Sequence, residues 1–113
     1  LKQNTRAFEK CDLIPNVLRG VKDIDTSVSL MGKKINLPLF FSPTALQRLF
    51  HYDGERAVGK VAEKFGTFFG ISSLATVSIE EIGENYSCPK IFQLYVHKDK
   101  GLNDSMIENC KET

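Results

Sequence analysis

The stretch Asp53–Thr76, DGERAVGKVAEKFGTFFGISSLAT, decides how the chain is read. Its first half repeats apolar residues at helical spacing: Ala57, Val58, Val61, Ala62 and Phe65 fall on one stripe, and Gly66 suits the C-terminal stop. Its second half, GTFFGISSLAT (Gly66–Thr76), becomes an apolar strand that ends in small and polar residues. A helix that delivers the chain directly into a buried strand is one link of a βα repeat. Asp53 and Glu55 read as first-turn residues that favour the helix dipole.

Two other segments share the strand's grammar: LPLFFSPTAL (Leu37–Leu46) before it and KIFQLYV (Lys90–Val96) after it. Between the second and third strands, Ser78-Ile79-Glu80-Glu81 has the form of a capping box, predicting a short helix through about Tyr86 that Cys88-Pro89 ends. After the third strand, Asn103 or Asp104 is placed to cap another helix carrying Met106, Ile107 and Cys110 on one side. The order is β-α-β-α-β-α, which predicts parallel strands joined by right-handed crossovers. Ahead of it, SVSL (Ser27–Leu30) and INLP (Ile35–Pro38) flank Met31–Lys34 and read as a hairpin. Gln3–Lys10 is predicted helical, and Pro15 breaks any continuation of that helix.

With 113 residues the chain is long enough for one domain with a modest core. A formal net charge of +1, with lysines scattered and no basic run interleaved with aromatics, gives no electrostatic case for a nucleic-acid partner. No apolar stretch is long enough to span a bilayer. Cys11, Cys88 and Cys110 are far apart and odd in number, so they read as free thiols in a reducing compartment; no metal site is expected. The expected setting is the cytoplasm, free or peripheral on the inner face of the membrane.

Three parallel strands leave two open edges and cannot cover both sheet faces. The chain also stops inside a helix pattern at Lys111-Glu112-Thr113, without a stop signal. The strands start about 25 residues apart, close to the repeat of ~30 per unit in an eight-stranded barrel. The expectation is the front portion of a larger α/β protein.

In parallel α/β folds, ligands bind beyond the carboxyl ends of the strands. Polar residues interrupt all three strands there: Ser42 and Thr44, then Ser72 and Ser73, then Gln93 and Tyr95. Alternation places Gln93 and Tyr95 on one face and Phe92, Leu94 and Val96 on the other. Hydroxyls and a carboxamide hydrogen-bond without titrating near neutrality, and suit a ligand with ring carbonyls and ring nitrogens, such as a flavin or a nucleobase. Taken singly, each pair has a plainer explanation: serine and threonine beside Pro43 shape turns, Gln93 is a satisfied amide, and Tyr95 packs with its hydroxyl at the surface. His51 and His97 lie in polar, loop-like surroundings and read as surface histidines. No carboxylate pair, Ser-His-Asp set or Cys-His pair is assembled, and neither G-x-G-x-x-G nor G-x-x-x-x-G-K-[ST] occurs.

The residues that carry a family likeness run the length of the chain. They include Asn4–Phe8, Val21–Ser27, Ser42-Pro43-Thr44-Ala45-Leu46, Gly54-Glu55, Ser72-Ser73-Leu74-Ala75-Thr76, Glu80-Glu81-Ile82 and Phe92-Gln93-Leu94-Tyr95-Val96. The chain resembles the FMN-dependent α-hydroxy-acid oxidases and dehydrogenases. The resemblance implies an α/β fold in which residues 1–113 are the N-terminal part of one barrel domain. They would form the first three βα units of a (β/α)8 TIM barrel, preceded by the N-terminal hairpin. It implies FMN at the carboxyl ends of the strands, held by the Pro43-Thr44-Ala45 backbone, Ser72 and Gln93, with the Tyr95 hydroxyl facing the substrate. The implied reaction oxidises an L-2-hydroxy acid, lactate-like, to a 2-oxo acid, in a protein that is a homo-oligomer at full length; the electron acceptor is left open. The family's base histidine, carboxylate-binding arginine and flavin-side lysine lie downstream, so this chain alone is expected to hold no catalytic residue. Leu74 stands where plant-type glycolate oxidases carry tryptophan, which reshapes the expected pocket wall. The competing expectation is a small non-catalytic α/β binding module; another FMN barrel oxidoreductase ranks third.

Overall fold

The computed structural model describes residues 1–112. In chain order it contains α1 (Lys2–Phe8), an antiparallel hairpin of β1 (Val28–Leu30) and β2 (Lys33–Ile35), and a 3-10 turn at Gln47–Leu49. Next come α2 (Glu55–Phe65), β3 (Phe69–Ser72), α3 (Ile79–Asn85), β4 (Lys90–Gln93) and α4 (Lys100–Glu112). The expected alternation is present, and β3 and β4 pair in parallel with Phe69 opposite Lys90 and Ser72 opposite Gln93. Thr113, the last residue of the expected unfinished helix, lies outside the described residues.

The helices begin and end for local reasons. Ser78 caps α3 by accepting from the Glu81 N–H at 3.2 Å, as the capping box predicts. Gly66 closes α2 in the left-handed conformation, its N–H bonded to the carbonyls of Ala62 and Glu63. The hairpin turn is tighter than expected: Met31 and Gly32 alone form it, both at positive φ (49° and 74°), the two-residue turn that matches strand twist. The α4 start also differs. Asp99 accepts from the N–H groups of Gly101 and Leu102, so the helix starts ahead of Asn103, whose side chain turns inward and bonds both backbone groups of His97. Neither Asn103 nor Asp104 serves as the expected cap; Asp99, nearer the strand, takes that place.

The first expected strand is reduced to a single parallel bridge, Phe41 to Phe69. Phe41 N–H donates to Phe68 O at 3.0 Å, and Gly70 N–H donates to Phe41 O at 2.8 Å. Pro38 and Pro43 supply no N–H, which shortens the ladder from both ends. Likewise the third strand stops at Gln93 rather than Val96, because its neighbour β3 already ends at Ser72. Tyr95 therefore lies past the ladder, and strand alternation alone does not fix its direction.

One face of this small sheet makes the core. Phe69 and Ile71 pack with Ala62 of α2, Val77, Ile82 of α3, Tyr86 and Cys88, with Phe41, Val58 and Phe92 against them. Truncating a side chain as fully enclosed as Phe69 costs about 3–5 kcal/mol. Across the helix layer, Arg56 and Glu81 form a two-pronged ion pair (2.5 and 3.0 Å) between α2 and α3. Solvent screens pairs at such open positions strongly, so core packing dominates. On α2 the buried line is Glu55, Gly59 and Ala62; Val61 and Phe65 of the expected stripe stay substantially exposed.

Much apolar surface has no cover. Val61 and Phe65 line an open cavity of about 350 Å³ with Leu37, Leu39, Phe40 and Phe41. Residues 1–26 bury no side chain, leaving Leu13, Ile14, Val17, Leu18 and Val21 exposed. The radius of gyration is 17.7 Å, against about 13 Å for a closed domain of this length. The arrangement is that of a partial α/β wall.

Gly70 sits where the Phe41–Pro43 backbone crosses β3. A β-carbon there would stand 2.6 Å from Phe41 O and 2.8 Å from Pro43 N, both backbone atoms. Gly70→Ala should therefore cost about 1–3 kcal/mol, read as a lower midpoint in denaturant unfolding of the protein carrying this chain.

Candidate functional site

The site is built where β3 and β4 end side by side. Because Ser72 stands opposite Gln93, the two side chains leave the sheet on the same face, away from the Phe69–Ile71 core. Ser72 Oγ donates to Gln93 Oε1 at 3.3 Å and accepts the Leu74 N–H at 3.1 Å. The loop chains continue the contact: Ser73 N–H donates to Gln93 O at 2.9 Å, and Ser73 Oγ accepts the Tyr95 N–H at 3.0 Å. Ser73 thus holds the Tyr95 backbone beside the rim. Asn103 fixes the same loop two residues later by gripping His97.

The Pro43-Thr44-Ala45 segment joins the rim through backbone. Leu46 N–H donates to Leu74 O at 3.0 Å, which lays the loop after the first strand beside the loop after β3. Thr44 Oγ1 turns back to Ser42 O at 3.3 Å, and Thr44 O accepts from Gln47 Nε2 at 3.3 Å. The expected site residues Pro43, Thr44, Ala45, Ser72 and Gln93 therefore fall on connected segments, with Tyr95 linked through Ser73. Two donors remain unspent: among the described residues Gln93 Nε2 and the Tyr95 hydroxyl make no hydrogen bond, and Tyr95 is 53% exposed.

This donor set fits a flavin's polar edge. An amide N–H₂, a serine hydroxyl and loop backbone can meet ring carbonyls and ring nitrogens without titrating. It is one wall only. A space of about 500 Å³ between Ile71, Ile79, Cys88, Lys90, Phe92 and Cys110 opens on the opposite, helix-facing side. Burial there pushes the Cys88 and Cys110 thiols up, away from reactive thiolate. His51 accepts from the Asp53 N–H and stacks on Tyr52, and His97 is held by Asn103, so neither histidine bonds a rim side chain.

Sequence reading missed Glu55 as a site element. It stands in the first turn of α2 as expected, but its side chain is buried, at 1% exposure. Its carboxylate accepts from Thr76 N–H (2.9 Å), Thr76 Oγ1 (2.6 Å) and Gln47 N–H (3.4 Å), tying the two rim loops together. The available signal was its spacing: Glu55, Gly59 and Ala62 lie four and three apart, on one helical line. Burial pushes the carboxyl up, but the bonds from Thr76 and Gln47 outweigh it and hold it below the usual glutamate value.

Comparison with known proteins places these observations. The model of the FMN-dependent dehydrogenase family matches residues 1–113. Glycolate oxidase 1 of Oryza sativa subsp. indica is 36% identical over 111 residues, 98% of this chain and 30% of that protein. L-lactate oxidase of Nostoc sp. is 39% identical over 114 residues, covering 97% of this chain and 31% of its own length. A solved mandelate oxidase superposes with a TM-score of 0.87 at 34% identity, over 96% of this chain and 33% of that one. The chain thus spans about a third of the length of the relatives it matches.

The lowered Glu55 value carries a pH dependence. A group whose folded pKa lies below its unfolded one stabilises fully above the unfolded value, and that stabilisation is lost as pH falls through the folded value. Hydrogen-exchange protection of the Gln47 and Thr76 amides, corrected for intrinsic rate, should hold from neutral pH to the ordinary glutamate range and fall below it. The step should be absent in Glu55→Gln.

Proposed function

Because the chain belongs to the FMN-dependent dehydrogenase family, we propose that it is the N-terminal portion of an FMN-dependent oxidoreductase that converts L-2-hydroxy acids to 2-oxo acids. In this reading its three βα units are the first of eight in a TIM barrel. The observation that carries it is the Ser72–Gln93 pair at adjacent strand ends, with an unspent amide donor and the Tyr95 loop pinned alongside. The open apolar cavity beside Phe65 and the expanded shape support a wall that further units cover.

FMN, when bound, supplies the acceptor for the two electrons of the oxidation. Gln93 Nε2 would donate to a carbonyl or nitrogen of the flavin, and Ser72 Oγ, bonded to Gln93 Oε1, would keep that amide turned outward. The Pro43–Ala45 backbone would help hold the ring and exclude water from it. The Tyr95 hydroxyl would orient the hydroxy acid by hydrogen bonding. Proton removal and carboxylate binding belong to residues of the remaining barrel, since neither His51 nor His97 joins the rim.

The substrate proposed is lactate-like. The relatives named above act on glycolate, lactate and mandelate by name, so the class is a small 2-hydroxy acid. Leu74, nearly half exposed at the rim and anchored through its backbone to Ser72 and Leu46, leaves room for a substituent larger than glycolate's hydrogen.

The test compares two proteins under anaerobic conditions with FMN. The complete protein carrying this chain should lose its oxidised-flavin absorbance on addition of L-lactate, and the 113-residue chain alone should not. Reduction by the isolated chain would overturn the assignment of the base to the remaining barrel. A complete protein that ignores every L-2-hydroxy acid while holding FMN would overturn the reaction. A cooperative unfolding transition of the monomeric 113-residue chain, without FMN binding, would favour a small binding module instead.

A further inference from the structure

We propose that Glu55 is a positioning residue for the flavin wall. Its buried carboxylate sets the distance between the Pro43–Ala45 and Ser72–Leu74 segments, so that FMN affinity depends on it. The inference rests on the flavin reading above, and concerns a residue that touches neither ring nor substrate in that reading.

Three features place Glu55 in control of both loops. First, every bond its side chain accepts from outside its own helix comes from the rim loops: Gln47 from one, Thr76 twice from the other. Second, Thr76 Oγ1 also accepts the Arg48 N–H at 3.2 Å. The hydroxyl proton therefore points to Glu55, and the relay from Arg48 through Thr76 runs one way only while the carboxylate is ionised. Third, further hydrogen bonds carry the constraint onward. Gln47 Nε2 holds Thr44 O, Leu46 N–H holds Leu74 O, and Ala75 N–H holds Ser72 O. A shift of Thr76 against Gln47 is thus a shift of Ser72 against Thr44.

The energetic balance points the same way. Among the described residues no lysine or arginine pairs with Glu55; the neighbouring Arg56 is committed to Glu81. A buried carboxylate without a cation is tolerated where donors surround it, and here the donors are the start of α2 and the two loops. An apolar side chain at this position would fill the space and leave the Gln47 and Thr76 N–H groups unpaired. What the carboxylate adds over packing is a fixed relation between two loops.

The experiment uses the complete protein carrying this chain and measures FMN dissociation constants by flavin fluorescence. The variants are Glu55→Leu, Glu55→Gln, Thr76→Val and, as a core control on the same helix, Val58→Ala. Thermal midpoints of the FMN-free proteins report folding. Losing acceptors for buried donors should raise the constant about tenfold or more in Glu55→Leu, and several-fold in Thr76→Val. Glu55→Gln keeps one acceptor oxygen and should stay within about threefold. Val58→Ala should lower the thermal midpoint with the FMN constant unchanged. The proposal is overturned if Glu55→Leu binds FMN as tightly as the parent, or if Val58→Ala loses FMN affinity in proportion to its stability. Should Glu55→Leu fail to fold, Thr76→Val decides by the same criterion. If the parent itself binds no FMN, the flavin reading falls first and takes this inference with it.

Discussion

The parallel register between β3 and β4 is the constraint on which the site depends. With Ser72 opposite Gln93, hydroxyl and amide meet on one face while Phe69, Ile71 and Phe92 enter the core on the other. Side chains alternate with a period of two, so a slip of one residue would move Phe69 and Ile71 to the rim face and turn Ser72 into the core. Phe69 and Ile71, at 0% and 2% exposure, make that slip costly. The apolar residues on one face therefore hold the polar residues on the other in place.

Around that register the loops are held mainly by side chains. Glu55 clasps the first two, Ser73 holds the Tyr95 backbone, and Asn103 grips His97. Each uses a neutral donor or a short carboxylate bond rather than an exposed ion pair. Such bonds fix direction as well as distance, which a rim that must present an amide and a phenol to a planar ring requires. The Arg56–Glu81 pair works differently, fastening helix to helix behind the sheet at half-exposed positions where solvent weakens it.

The alternation of helix and strand was legible because each element has a strong local signal. These are the amphipathic turn before Gly66, the Ser78–Glu81 cap, and the apolar runs at Phe69 and Ile91. That Ser72 and Gln93 share one rim was legible from polar interruptions at successive strand ends; their direct pairing was not. Three further features were not. The first strand shrinks to a bridge at Phe41 because prolines on either side withhold donors, a tertiary outcome that its apolar composition hides. Tyr95 leaves the ladder because β3 ends first, and strand length depends on a neighbour. The burial of Glu55, legible only as a first-turn residue, is decided by donors from loops distant in sequence, 21 residues away in the case of Thr76.

A sheet with two unpaired edges also has a history. If further barrel units follow as proposed, Phe40, Phe65 and the Leu13–Val21 stretch would stay exposed beside the core around Phe69 until those units were made. Chains lengthen at roughly 5–20 residues per second, and collapse around a formed nucleus is far faster. The nascent protein would thus carry an adhesive apolar flank for many seconds, the kind of surface that chaperones occupy. Shielding of that flank during synthesis would then matter to how much folded protein a cell obtains.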